Sequence, residues 1–116
     1  MILSDEPGYY LPGAYGIRME NLLLVQVATF DGPAGAERDT SRRFLEFDTL
    51  TLVPFDRALI ETALLTPAEA DWIDRYHARV LREIGPSLSQ PVLDWLARAC
   101  APLDPAQQDH LSLIHI

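Results

Sequence analysis

Hydrophobic and polar positions divide the chain into two halves with different periods. Residues 17–30 (IRMENLLLVQVATF) are rich in Leu and Val and free of Gly and Pro, which predicts a central strand buried on much of both faces. Residues 2–6 predict a preceding strand. Between them Pro7-Gly8, Pro12-Gly13 and Gly16 supply turn chemistry, so residues 7–16 are expected to be the connection. Segment 31–42 (DGPAGAERDTSR) then breaks the pattern as a long hairpin loop would. A further strand is expected at 43–54 (RFLEFDTLTLVP), where the apolar phase changes from Leu45 and Phe47 to Leu50 and Leu52. A one-residue change of phase in a period-two element predicts a bulge near Asp48 and Thr49.

The second half has the helical period. Thr66-Pro67-Ala68-Glu69 places a capping hydroxyl, a proline at the first helical position and a glutamate three residues after the cap. Beyond it Ile73, Tyr76, His77, Val80, Leu81 and Ile84 recur at spacings of three and four until Gly85-Pro86 ends the helix. Pro91 opens a second helix, with Val92, Trp95, Leu96, Ala99, Cys100 and Leu103 as its stripe. Strands followed by helices make an α+β chain in which two amphipathic helices cover one side of the sheet. His77 falls inside the first apolar stripe and reads as a hydrogen-bonded structural histidine, with no carboxylate at ligand spacing.

Composition narrows the function classes. At 116 residues with 48% hydrophobic content, the chain carries one domain's worth of core. Nine Lys and Arg against seventeen Asp and Glu give a formal charge of −8, which disfavours nucleic acid and anionic membrane surfaces as partners. The longest apolar run, residues 22–25, is far short of a membrane span, and no signal-peptide pattern is present, so a cytoplasmic location is expected. The single cysteine, Cys100, excludes an internal disulfide and reads as a small buried hydrophobe.

Candidate chemistry sits in the first segment. If residues 2–6 and the strand from Ile17 are antiparallel neighbours, Glu6 and Glu20 come close together. Side chains alternate along a strand, so Arg18, Glu20 and Leu22 point one way and Ile17 and Met19 the other. Charged groups entering an apolar strand require partners, because desolvation costs several kcal/mol per ion. Two readings stay open on these grounds: an Arg18–Glu20 or Arg18–Glu6 ion pair at a sheet edge, and a hard-metal site built from carboxylates.

The motifs add a resemblance. "SDEPGYY" followed by "GIRMEN" resembles the end of the catalytic domain of the pita-bread metallopeptidases. "LTLVPFD", "LLT", "YHARV" and "LDWLARACAPL" resemble the C-terminal extension of the three-domain type of aminopeptidase P, so that the likeness spans residues 1–103. It implies the C-terminal part of a pita-bread fold: the end of the catalytic domain at 1–54 and a helical extension at 55–110. In that family two divalent ions, usually manganese(II), are held by two aspartates, a histidine and two glutamates, and hydrolysis removes an N-terminal residue preceding proline. Glu6 matches the glutamate on one ion and Glu20 the glutamate bridging both. Arg18 and Tyr10 match residues that stand behind the ligands and orient them, and Met19 replaces the more usual isoleucine. Peptides with proline in the second position are the implied substrates, and a homodimer the implied assembly.

The aspartate and histidine ligands do not occur here in matching context and are expected upstream. Met1 accordingly reads as an internal methionine. "LSLIHI", 111–116, resembles a translated library adapter, so His115 is not counted as a ligand. A gene truncated at both ends is the expectation, with a polypeptide inactive by itself. Two alternatives are a prolidase-like dipeptidase fragment, against which the helical extension argues, and a non-catalytic pita-bread module that binds peptides or proteins, against which the retention of both glutamates argues.

Overall fold

The computed structural model describes residues 1–28 and 43–103. The expected hairpin loop at 31–42 and the tail at 111–116 lie outside the described residues. The chain forms two compact units, Met1–Thr51 and the part from Leu52 onward.

The first unit is built on one antiparallel ribbon. Strand β1 (Ile2–Asp5) pairs with β4 (Asn21–Val27), and β2 (Gly8–Leu11) pairs with β3 (Tyr15–Arg18). Partner numbers add to 26 in both ladders, as in Ile2 with Leu24 and Gly8 with Arg18. Met19 N donates to Pro7 O at 3.1 Å across the break between the ladders, so the register runs through it and sets Glu6 opposite Glu20.

Residues 7–16 are therefore not a single connection, and the strand expected over 17–30 is interrupted at Met19 and Glu20. Tyr9, Tyr10, Leu11, Tyr15 and Ile17 are β-formers that extend the pairing, leaving only residues 12–14 to turn. There Ala14 N donates to Leu11 O at 3.0 Å. Pro12 takes the second position of the turn and Gly13 the third, at φ +75°, the left-handed conformation that a type II turn requires at that place.

Strand β5 (Leu45–Thr49) pairs with β4 one for one, from Leu23 with Thr49 to Val27 with Leu45, without a bulge. Leu50 N donates to Leu22 O at 2.8 Å, one step further in the same register. The Leu22 N–H then donates instead to the Thr51 hydroxyl at 2.9 Å. The change of apolar phase thus marks the end of the strand: Leu45 and Phe47 belong to β5, while Leu52 joins the core of the second unit. β4 is central in the order β1-β4-β5 but only partly buried, because every fully buried residue among those described lies in the second unit.

That unit is organised by helix α1 (Pro67–Ile84). Thr66 and Glu69 form the expected capping box: Glu69 N donates to the Thr66 hydroxyl at 3.2 Å, and Thr66 N donates to Glu69 Oε2 at 2.9 Å. Tyr76, Val80, Leu96 and Cys100 make the core, and Leu52, Phe55, Leu81, Ile84 and Leu88 pack around it. The segment entering the unit is strapped to α1 by polar contacts. The Tyr76 hydroxyl donates to Val53 O at 2.9 Å, and Phe55 N donates to His77 Nε2 at 3.0 Å. His77 is fully buried and structural, as its place in the stripe predicted.

Helix α2 (Gln90–Ala99) presents a narrower apolar face than its sequence suggests. Leu96 and Cys100 are buried, but Val92 and Trp95 are 46% and 55% exposed. The inner face is Leu93, Leu96 and Cys100, at spacings of three and four, and Trp95 instead lines a groove with Pro54, Phe55, Arg57 and Arg98. Burial pushes the Cys100 thiol pKa up, which keeps it protonated and inert. No described helix is long and apolar enough to cross a membrane.

Candidate metal centre

The ribbon's register decides which residues share a face. In a pleated antiparallel pair, directly opposed residues point to the same side. Tyr10 opposite Gly16, Gly8 opposite Arg18 and Ser4 opposite Leu22 are therefore on one face, and the continued register adds Glu6 opposite Glu20. All four candidates named from the sequence, Glu6, Tyr10, Arg18 and Glu20, lie on it.

Contacts follow this arrangement. Arg18 Nε is 3.8 Å from Glu6 Oε1 and Arg18 Nη2 is 3.8 Å from Glu20 Oε2, so one guanidinium bridges the two carboxylates. Both ion pairs that the sequence allowed are present together. The need for a cation is electrostatic, since like charges opposed across a ladder repel. At these distances and with side chains 41–55% exposed, each pair contributes at most about 1 kcal/mol. The carboxylates are held near each other without being consumed by strong bonds.

Two features of the face were not singled out in the sequence. The Ser4 hydroxyl donates to Glu6 Oε2 at 2.9 Å; its spacing of two from Glu6 was the available signal. The two glycines form the floor for Tyr10. A Cβ on Gly8 would lie 2.7 Å from the Tyr10 hydroxyl oxygen, and one on Gly16 would lie 2.8 Å from Tyr10 Cδ1. The ring thus lies along the ribbon over both α-carbons, with its hydroxyl at Gly8, the residue opposite Arg18. Gly8 and Gly16 serve this close approach and make no turn.

Paired carboxylates suit a hard divalent cation in kind, and the bridging guanidinium shows that the place between them accepts positive charge. In number they fall short. Octahedral oxygen coordination takes about six donors, and among the described residues no group of three or more His, Cys, Asp or Glu could hold an ion.

Residues 43–103 match the model of the C-terminal region of peptidase M24. The chain belongs to the peptidase M24 family. It is 41% identical over 105 residues to a probable Xaa-Pro aminopeptidase P of Arthroderma benhamiae, covering 88% of this chain and 14% of that protein. It is 35% identical to aminopeptidase P1 of Arabidopsis thaliana, covering 89% and 15%. Among solved structures it is similar to the X-prolyl aminopeptidase of Caenorhabditis elegans, described as a cytosolic enzyme with a di-nuclear active site. The TM-score is 0.74 at 38% identity, over 87% of this chain and 16% of that one. The α+β build of antiparallel strands followed by helices matches that pita-bread enzyme over the part covered. The chain spans about one-seventh of the length of these relatives.

Proposed function

We propose that this chain is the C-terminal part of a dinuclear-metal Xaa-Pro aminopeptidase, a hydrolase of the N-terminal Xaa-Pro bond, with Glu6 and Glu20 among the metal ligands. The observation that carries this reading is the placement of Glu6 and Glu20 opposite each other on one ribbon face, with Arg18 between them. It is supported by relatives named Xaa-Pro aminopeptidase and by a relative whose active site is di-nuclear. Those names favour an aminopeptidase over a dipeptidase or a non-catalytic module.

In this reading two divalent ions, manganese(II) by the family resemblance, supply the Lewis-acid chemistry of peptide hydrolysis. Glu6 and Glu20 hold the ions, Arg18 neutralises and orients both carboxylates, and Tyr10 fixes the space beside Arg18. The missing donors come from upstream sequence, which also covers the exposed apolar strands: Ile2 is 61% and Tyr9 59% exposed, and such surface marks a contact in a larger domain. Peptides with proline second are the substrates. A cytoplasmic homodimer is the assembly, and the 116-residue polypeptide by itself is inactive.

The test is recovery of the upstream coding sequence followed by assay of the full-length parent with manganese(II) on an Xaa-Pro peptide. Glu20→Gln should lower kcat/KM by about 100-fold or more, since disturbing even the groups behind a metal ligand costs 10–100-fold. An upstream sequence without two aspartates and a histidine to complete the site, or a Glu20→Gln variant of full activity, overturns the proposal.

A further inference from the structure

We propose that Ser4 is a positioning residue for Glu6, an inference that rests on the reading of Glu6 as a metal ligand. Ser4 lies inside β1, where the ladder pairs it with Leu22. Glu6 lies one residue beyond the end of that strand. Ser4, fixed within the ladder, therefore holds the Glu6 carboxylate through a hydroxyl that donates to Glu6 Oε2 at 2.9 Å.

A glutamate at a strand end has three side-chain torsions, the last of them broad and unselective. Tying Oε2 to Ser4 sets the plane of the carboxylate and leaves Oε1 as the oxygen turned toward Arg18, and through Arg18 toward Glu20. The arm is short, because residues two apart on a strand share a face. Ligating carboxylates depend on such hydrogen bonds, and their loss typically lowers metal affinity 10–100-fold. Ser4 contributes by removing alternative orientations of Glu6 before an ion arrives, and itself donates nothing to the metal.

Calorimetric titration of the metal-stripped full-length parent with manganese(II) chloride tests this, comparing wild type, Ser4→Ala and Ser4→Thr. Ser4→Ala should weaken one of the two binding steps 10- to 100-fold and leave the other within about threefold. Ser4→Thr, which keeps the hydroxyl, should restore wild-type affinity to within about threefold. The metal-free melting temperatures should coincide, as expected for an exposed surface substitution. If Ser4→Ala binds both ions as wild type does, or Ser4→Thr fails to restore the loss, the assignment is wrong. A wild-type parent that takes up no manganese overturns the metal reading itself, and this assignment falls with it.

Discussion

Arg57 offers the sharpest test of how the helical unit is held together. Its Nη1 donates to Arg98 O and to Ala101 O, each at 3.0 Å, and its Nη2 donates to Pro102 O at 2.7 Å. Ala101 and Pro102 lie just past α2, where carbonyls have no helical donor, and Arg98 O in its last turn also accepts from Ala101 N at 3.3 Å. One guanidinium thus satisfies three acceptors and also opposes the negative end of the helix dipole. A hydrogen bond involving a charged group contributes about 1.5–3 kcal/mol net, and a cation at a helix C-terminus about 0.3–1 kcal/mol. The three bonds share one partly exposed side chain and do not add, so Arg57→Ala should cost about 2–4 kcal/mol. Urea unfolding followed by helical circular dichroism should show the midpoint falling by about 1–2 M at unchanged slope. Arg57→Lys should recover at most about half of the loss, because a single ammonium cannot fork to three carbonyls. A loss below about 0.5 kcal/mol in Arg57→Ala, the range of an ordinary surface substitution, would show that the clasp does not hold the helix.

Two further outcomes follow from the same contacts. His77 is buried and accepts from Phe55 N through Nε2, so Nδ1 carries the proton of the neutral ring; it has no partner among the described residues. Burial lowers its pKa below 6.5, with Asp74 opposing and Arg57 assisting. The unfolded chain therefore binds the extra proton first as pH falls. Stability is complete above about pH 6.5 and drains away below it until the folded pKa is passed, which urea midpoints between pH 8 and pH 5 will show. His77→Gln should flatten that dependence. On the ribbon, Gly16→Ala would bring a Cβ to 2.8 Å from Tyr10 Cδ1. Because Tyr10 is 60% exposed, the ring should swing away at a stability cost of about 1 kcal/mol or less, losing its nuclear Overhauser contacts with the Gly8 α-protons. Retention of those contacts would refute the glycine floor.

Local signals were legible in the residues and tertiary ones were not, for a physical reason. The capping box at Thr66, the end of α1 at Gly85-Pro86 and the buried stripe through His77 depend on neighbours within one or two turns, so period and cap chemistry state them directly. The approach of Glu6 to Glu20 was legible too, since it needs only two adjacent strands folded back on each other. What the sequence left open is which long-range partner each group finds. Gly8 and Gly16 have the composition of turns, yet they line strands because a tyrosine ring lies on them, and nothing local distinguishes the two uses. The phase change at Leu50 could be a bulge or a strand end until the partner strand is known, and the Thr51 hydroxyl bonded to Leu22 N makes it an end. The face of α2 was misdrawn, with Val92 and Trp95 counted in and Leu93 left out, because an isolated helix has no inner side. Arg57, 41 residues from Arg98 in the chain, has no sequence signature at all. Period, caps and charge determined the two helices, strands β1, β4 and β5 and the candidate carboxylates, but not β2 and β3; register and packing decided which side chains meet, because those contacts exist only once distant segments share a surface.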